Sequence, residues 1–342
     1  MKNVQITIKD IARELNISPS TVSRALKNHP DISQETKKLV TELADKLDYQ
    51  PNSIALSLRK SKSDIIGIVI PNIVHHFFST VISGIEDIAY DKGYHLMITQ
   101  SNEHYQREVD SIHALMATRV DGIFASISSE TPDFAHFHNL IRKNTPLVFF
   151  DRACDEINTN KVLIDDYGGA FKAVEHLIDQ GCRQIVHLAS QSNLLISQNR
   201  RDGYINALKR HEIPLDEKLI IESYNIDSGY YTIRDLIKDE VHFDGVFAVN
   251  DETAIGAIKA IKEAGLKIPE DVAVIGFGDD PIAKIVDPNL SSVSQSGFEM
   301  GQLVARLFID QLDYIDNDLE YNPKTKIIST KLTVRESSKR KS

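Results

Sequence analysis

The chain has little cysteine, no long apolar run and none of the common catalytic motifs. Its two cysteines, Cys154 and Cys182, cannot build a disulfide framework and show no metal-ligand spacing, so no metal is expected. The longest apolar runs, such as Ile65–Ile70, fall far short of the roughly 20 residues that span a bilayer. No membrane role is therefore expected. The start, Met1-Lys2-Asn3-Val4-Gln5, lacks the apolar core of a secretory signal, which places the expected location in the cytoplasm. No Gly-x-Gly-x-x-Gly follows a strand candidate, and there is neither a Walker loop nor a Gly-x-Ser-x-Gly elbow. No cofactor is expected. No short-period repeat and no low-complexity tract is present.

What is there is an ordinary globular composition with its charge unevenly placed. A hydrophobic fraction of 42% and a charged fraction of 26% exclude whole-chain disorder. At about 100–200 residues per domain, the 342 residues suggest two or three domains. The net charge of −10 argues against a simple polyanion binder. Yet residues 1–62 hold 11 Lys+Arg against 7 Asp+Glu, a surplus of +4, while the remainder holds 28 against 42, or −14. A small basic head on a large acidic body suggests that only the head meets an anionic partner.

The head has helical spacing. Thr7 can cap a first helix, whose Ile8, Ile11, Ala12 and Leu15 form one apolar stripe. After a short break, Ser18 is a good N-cap and Pro19 suits the first helical position. Val22, Ala25 and Leu26 face inward on this second helix, and Ser20, Thr21, Ser23, Arg24 and Lys27 make its other face. A third helix starts near Ser33, with Leu39, Val40, Leu43, Ala44 and Leu47 inward, and Tyr49-Gln50-Pro51 stops it. Two short helices across a tight turn with a third behind them form the helix-turn-helix pattern. A plain helical bundle would show the same periodicity. The specific feature is the small, polar start of the second helix, which can approach base edges, with Arg24 one turn on to bond a guanine twice.

These residues resemble a known family. Thr7-Ile8-Lys9-Asp10-Ile11-Ala12, Ser18-Pro19-Ser20-Thr21-Val22-Ser23-Arg24-Ala25-Leu26 and Tyr49-Gln50-Pro51-Asn52 are similar to the head of the lactose-repressor (LacI/GalR type) bacterial transcription regulators. The resemblance implies that Pro19, Ser20 and Arg24 set operator sequence, with Thr7, Ser18, Thr21, Ser23 and Lys27 among the DNA-binding residues. It also implies a hinge helix over 52–59 that folds when two copies pair on DNA, with Asn52, Ala55, Leu58 and Arg59 at the DNA. A segment of about two turns is too short to hold alone in water. In the family, the leucine matching Leu58 wedges into the minor groove. Leu56 departs from the commoner polar residue at its place.

From Asp64 onward, apolar runs alternate with helical patterns. Strands are expected at 65–70, 95–100, 122–125 and 147–150, and, after a break, at 162–164, 184–188, 219–223, 245–249 and 272–276. Helices are expected between them, including 78–92, 107–118, 170–180, 201–210 and 252–264. This alternation implies parallel sheets covered on both faces, in two series. The expected fold is therefore α/β. A helix-turn-helix three-helix head with a hinge helix (1–60) precedes a two-lobed, doubly wound parallel effector domain of periplasmic-binding-protein type (64–342). The N-lobe is expected at about 64–161 and 293–322, and the C-lobe at about 162–292 and 323–336.

Ligands of such sheets bind beyond the carboxyl ends of the strands. The loops there hold carboxylates, amides, arginine and aromatic rings, a set suited to a polyhydroxy ligand. For any single residue, a helix-capping role is the competing explanation. The family resemblance continues through Val148-Phe149-Phe150-Asp151-Arg152, Arg200-Arg201-Asp202-Gly203-Tyr204, Phe247-Ala248-Val249-Asn250-Asp251 and Leu332-Thr333-Val334-Arg335. It implies that Phe77, Phe78, Asp151, Arg200, Tyr224 and Asn250 line an effector cleft. Where the family often has Asp after its Gly-Phe or Gly-Tyr pair, this chain has Gly278, so Asp279 is the candidate substitute acceptor.

Two rival functions remain. A two-domain α/β enzyme lacks its motifs here, and His75, His76, His136 and His138 read as loop or surface histidines rather than a metal site. A binding receptor without a DNA role leaves the basic head unexplained. An effector-controlled repressor of carbohydrate-utilisation genes explains both parts. It would act as a homodimer on near-palindromic double-stranded operator DNA, with a sugar or sugar derivative as effector. The tail lacks apolar heptads, so no tetramerising coiled coil is expected.

Overall fold

The structure is a computed structural model that describes residues 6–49, 62–190 and 194–340. The chain divides into two compact units, Met1–Asp64 and Ile65–Ser342. The hinge expected at 52–59, with Asn52, Ala55, Leu58 and Arg59, lies outside the described residues.

The first unit holds α1 (Ile8–Glu14), α2 (Pro19–Leu26) and α3 (Gln34–Lys46). Its caps are local. The backbone N–H and hydroxyl of Thr7 both donate to the Asp10 carboxylate, at 3.0 and 2.6 Å. Ser18 Oγ accepts the Thr21 N–H at 3.1 Å. The core is small: Ile11, Ala12, Val22, Ala25, Val40, Leu43 and Ala44. One expectation fails here. Leu39, placed inward from the sequence, is 50% exposed. The buried stripe of α3 runs through Val40, Leu43 and Ala44, and a residue one position earlier sits about 100° away around the helix.

The second unit contains two six-stranded sheets. Its strands are β1 (Ile65–Ile70), β2 (His95–Gln100), β3 (Gly122–Ala125), β4 (Leu147–Phe150), β5 (Asn160–Ile164), β6 (Ile185–Ala189), β7 (Ile220–Glu222), β8 (Gly245–Ala248), β9 (Ala273–Gly278), β10 (Ser291–Ser294), β11 (Thr325–Ile328) and β12 (Lys331–Thr333). The first sheet runs β11-β5-β4-β3-β1-β2 and the second β12-β10-β9-β8-β6-β7. Every pairing is parallel except the antiparallel β10–β12 pair. Strands buried on both faces read as continuous apolar runs, as Ile65–Ile70 does.

The helices are α4 (His76–Asp91), α5 (Tyr105–Thr118), α6 (Ala135–Arg142), α7 (Asp166–Asp179), α8 (Leu195–Arg210), α9 (Ile226–Lys238), α10 (Asp251–Glu263) and α11 (Gly297–Asp316). One apolar cluster joins α4 and α11 to the first sheet, and a second joins α5 and α6 to its other face. The second sheet is covered in the same way by α9 with α10 and by α7 with α8. In each lobe one helix pair meets through glycines. A Cβ on Gly84 would strike the carbonyl of Phe298, and one on Gly256 the carbonyl of Ile226.

The chain passes between the sheets three times: from β5 into α7, from β10 into α11, and from β11 into β12. These passages correct the expected lobe limits. Residues 162–164 do not open the second lobe. They belong to β5, which pairs with β4 and β11 in the first sheet, and 325–328 lies there too. Val293 and Ser294 belong to the second sheet. An apolar strand carries no local mark of which sheet edge it joins, so this boundary was hidden in the sequence.

Candidate functional site

Two surfaces carry the residues singled out from the sequence. On the head, Ser18, Pro19, Ser20, Arg24 and Lys27 are exposed, and Thr21 and Ser23 are half-buried. The start of α2 is a hydroxyl cluster. Ser18 Oγ lies 2.7 Å from Ser20 Oγ and 2.8 Å from Thr21 Oγ1. Among the described residues no ion pair holds Arg24 or Lys27, which lie one turn apart on the same face. Thr7 is committed to Asp10, whose pKa those two hydrogen bonds hold below the usual carboxylate value.

In the body, the loops beyond the strand ends bring a charged cluster together. Asp151 follows β4 with a left-handed φ of 60° and is buried. Its Oδ2 accepts from Ser126 Oγ at 3.4 Å and lies 3.7 Å from Arg152 Nε. Burial pushes its pKa up to about 6. Asp151 also lies within the electrostatic reach of Asp166 and Arg200, from the other lobe. Arg200 is buried and already engaged. Its Nε and one terminal nitrogen donate to Asp166 Oδ1 at 2.8 and 2.7 Å, and the other terminal nitrogen donates to the Val249 carbonyl at 2.7 Å. Its guanidinium lies 3.8 Å above the centre of the Phe277 ring. Asp166, in the first turn of α7, was not foreseen. Its partner is far off in sequence, so no local motif marks it.

The remaining expected residues divide. Phe77 is half-buried, but Phe78 is only 4% exposed. Phe78 packs edge-on to Phe150 with ring centres 6.4 Å apart, as part of the core rather than of a cleft wall. Asn250 caps α10: its Oδ1 accepts the Thr253 N–H at 2.8 Å, and its amide donates to the Tyr224 carbonyl at 2.9 Å. The Tyr224 ring is 53% exposed. Asp279, the candidate substitute acceptor, is engaged within the chain. Its carboxylate takes a hydrogen bond from Arg335 at 2.5 Å, and its N–H donates to Ser292 Oγ at 2.9 Å. Gly278 has a φ of 138°, a conformation that side chains rarely adopt.

Two neighbours complete the loop after β9. Asp251 is fully buried, accepts from Ser292 Oγ at 2.5 Å and from the Asp280 N–H at 2.8 Å, and burial lifts its pKa to about 7. Asp280 lies 3.3 Å from His76, and Glu252 lies 3.5 Å from His75. Both contacts join the first lobe to the second. In the first lobe, Arg152 donates to both oxygens of Glu103 at 2.9 and 2.8 Å. Glu103 in turn accepts the Ser129 N–H at 2.8 Å.

His136 departs from its expected surface position. It is 5% exposed, and its Nε2 lies 2.9 Å from the buried Glu108. That carboxylate also accepts the Ser128 N–H and the Thr131 hydroxyl, at 2.7 and 2.8 Å. The group ties down the loop after β3. Among the described residues no cluster of His, Cys, Asp and Glu could hold a metal ion.

Comparisons with known proteins match both parts of the chain. Residues 7–52 match "Bacterial regulatory proteins, lacI family", and residues 174–338 match "Periplasmic binding protein-like domain". The ribose operon repressor of Halalkalibacterium halodurans is 32% identical over 334 residues, covering 97% of each chain. A LacI family transcriptional regulator from Enterococcus faecium, solved with bound ribose, is 28% identical with a TM-score of 0.70, over 80% of this chain and 98% of that one. The lac repressor dimer bound to operator shares the fold at a TM-score of 0.82 and 23% identity, over 97% of this chain and 99% of that one. With a full-length relative at this identity, and with a head and a two-lobed body that carry the matching motifs, the chain belongs to the lacI family of bacterial regulatory proteins and is a DNA-binding transcription regulator.

Proposed function

We propose that this chain acts in the cytoplasm as a homodimeric repressor of carbohydrate-utilisation genes, released or engaged by a small hydroxyl-rich effector. The carrying observation is the contrast within α2. Its hydroxyls are gathered at the first turn, and Arg24 and Lys27 point from the same face with no internal partner among the described residues. On this reading Ser20, Ser23 and Arg24 meet base edges, and Lys27 meets phosphate. Pro19 sets the approach, while Thr7, Ser18 and Thr21 hold the helix ends in place. The hinge residues Asn52, Ala55, Leu58 and Arg59 take the roles that the family resemblance implies. In the body, Asp151, Arg200, Phe77, Tyr224 and Asn250 form the effector set, now joined by Asp166 and without Phe78 or Asp279.

Effector binding and operator binding are then coupled reciprocally, typically by about 1–3 kcal/mol. Nothing in the reading calls for catalysis. Ribose is the first sugar to try, since a relative is named for a ribose operon and a neighbour was solved with that sugar. The test is operator selection with the purified protein, followed by binding at rising salt. A dimer on a near-palindrome whose affinity falls steeply with salt is expected. A monomer indifferent to every selected duplex at low salt overturns the proposal.

A further inference from the structure

We propose that the cleft accepts an uncharged or amine-bearing polyhydroxy ligand and excludes sugar acids and sugar phosphates. This rests on the reading of the cleft as the effector site and narrows the chemistry of what it takes.

The argument is the distribution of charge. Four cationic or protonatable side chains reach this region, and each stands on a carboxylate of the chain itself. Arg200 is on Asp166, Arg152 on Glu103, His75 on Glu252 and His76 on Asp280. Lys284, further along the loop after β9, is exposed to solvent. Two further carboxylates have no cation to themselves. Asp251 is held by neutral donors, a hydroxyl and a backbone N–H. Asp151, only 6% exposed, shares Arg152 with Glu103: its Oδ2 lies 3.7 Å from Arg152 Nε and accepts from Ser126 Oγ at 3.4 Å. Six carboxylates thus face four cationic or protonatable groups, and a ligand hydroxyl or ammonium adds donors to this set where an acid adds another acceptor.

An anionic group on the ligand finds no free cation. To gain one it would have to displace Asp166 from Arg200, which strands a buried carboxylate, or Glu103, which bonds Arg152 through both oxygens, from Arg152. Burial also disfavours negative charge here: it pushes Asp151 up to about 6 and Asp251 up to about 7.

The test uses the full chain and matched probes in thermal-shift and calorimetric titrations. The neutral members are ribose, glucose, galactose and cellobiose. The amines are glucosamine and galactosamine, and the acids are ribose 5-phosphate, glucose 6-phosphate, glucuronate and galacturonate. In wild type, each acid is expected to bind at least tenfold more weakly than its neutral parent. An acid that binds as tightly as its parent overturns the proposal while leaving the effector reading intact. Asp166→Asn, which frees Arg200 at almost constant volume, is expected to gain binding of the acids. Asp151→Asn, which removes one carboxylate charge and leaves Arg152 its two contacts to Glu103, gives the same readout if the first variant does not fold. If no sugar binds wild type although operator binding is intact, the sugar reading fails. The variants then decide this proposal alone: acid binding gained by either upholds it, and none gained by both overturns it.

Discussion

In the head, the two cations read as functional stand in solvent with no ion pair among the described residues. In the body, Asp151 and Arg200 are buried and already held by neighbours. Arg24 and Lys27 extend from α2 with no ion pair among the described residues, whereas Arg200 spends three contacts on Asp166 and Val249 and lies flat on Phe277. The difference follows from the partner. A duplex brings its own dense negative charge, and affinity comes from counterions released when free lysine and arginine replace them. A small effector brings few groups. Its site must be built beforehand, so that binding does not carry the full entropy of ordering long side chains.

The contrast is sharpest at Arg200. Arg200→Ala leaves Asp166 buried without its cation, and breaking one side of a buried pair costs about 3–5 kcal/mol. The body is expected to unfold at markedly lower denaturant, and the response to effector to be lost. Operator binding by the head survives as long as the body folds. The double change Arg200→Gln with Asp166→Asn restores part of the stability, because no lone charge remains. Equal stability of Arg200→Ala and wild type in urea unfolding refutes the pre-paired cleft.

Arg24→Ala is the matching change in the head. It is expected to leave stability within about 0.5 kcal/mol, as for an exposed residue outside any cap. It lowers operator affinity by about 1–3 kcal/mol and relaxes preference at one base pair per half-site. Lys27→Ala weakens all sequences alike. Selection from a randomised operator library separates the two, and an unchanged base profile for Arg24→Ala removes α2 from the reading role.

The two units also respond to pH with opposite signs. Asp10 in the head has a lowered pKa because Thr7 bonds its charged form, so its contribution is present at neutral pH and lost as pH falls. In the body two raised carboxylates and one lowered histidine, His187, which burial takes to about 4, govern the window from about pH 4 to 7. Asp151 and Asp251, at about 6 and about 7, favour the protonated form in the fold. The Glu252 hydrogen bond raises His75 as well. A raised pKa gives stability that is complete below the unfolded value and lost as pH rises through the folded one. Body stability is therefore expected to fall from about pH 4 to 7, less steeply than the two carboxylates alone would give because His187 acts with the opposite sign, and Asp251→Asn removes much of the slope. The half-exposed His75–Glu252 and His76–Asp280 contacts contribute about 0.5 kcal/mol each. A body whose stability rises over that window contradicts these assignments.

How far the sequence carried varies with the range of the interactions. The caps at Thr7 and Ser18, the strands β1 to β4 and the helix-turn-helix are local, and each was legible from spacing alone. Asp151 and Arg200 were placed together by family resemblance. Asp166, Glu103 and the two histidine contacts were not, because each partner comes from another strand end or the other lobe. The partner of Asp279 was not legible either, because Arg335 arrives from the far end of the chain. The lobe limits failed at β5 for the same reason, since edge pairing is decided in three dimensions.

The smallest effect tests that lesson within the head's own core. Leu39 and Val40 are adjacent, both apolar, and were both assigned inward from the sequence. Leu39 is half exposed and Val40 fully buried. Leu39→Gln is expected to change head stability by no more than about 0.5 kcal/mol, since it removes little apolar area from the interior. Val40→Ala removes two buried methyl groups from a core of few residues, at about 0.8 kcal/mol for each buried carbon plus the cavity left behind. Thermal unfolding of the two variants, followed by helix signal at the head's own transition, reads the difference directly. If Leu39→Gln destabilises as much as Val40→Ala, Leu39 packs inward after all, and the stripe read from the sequence was the better guide.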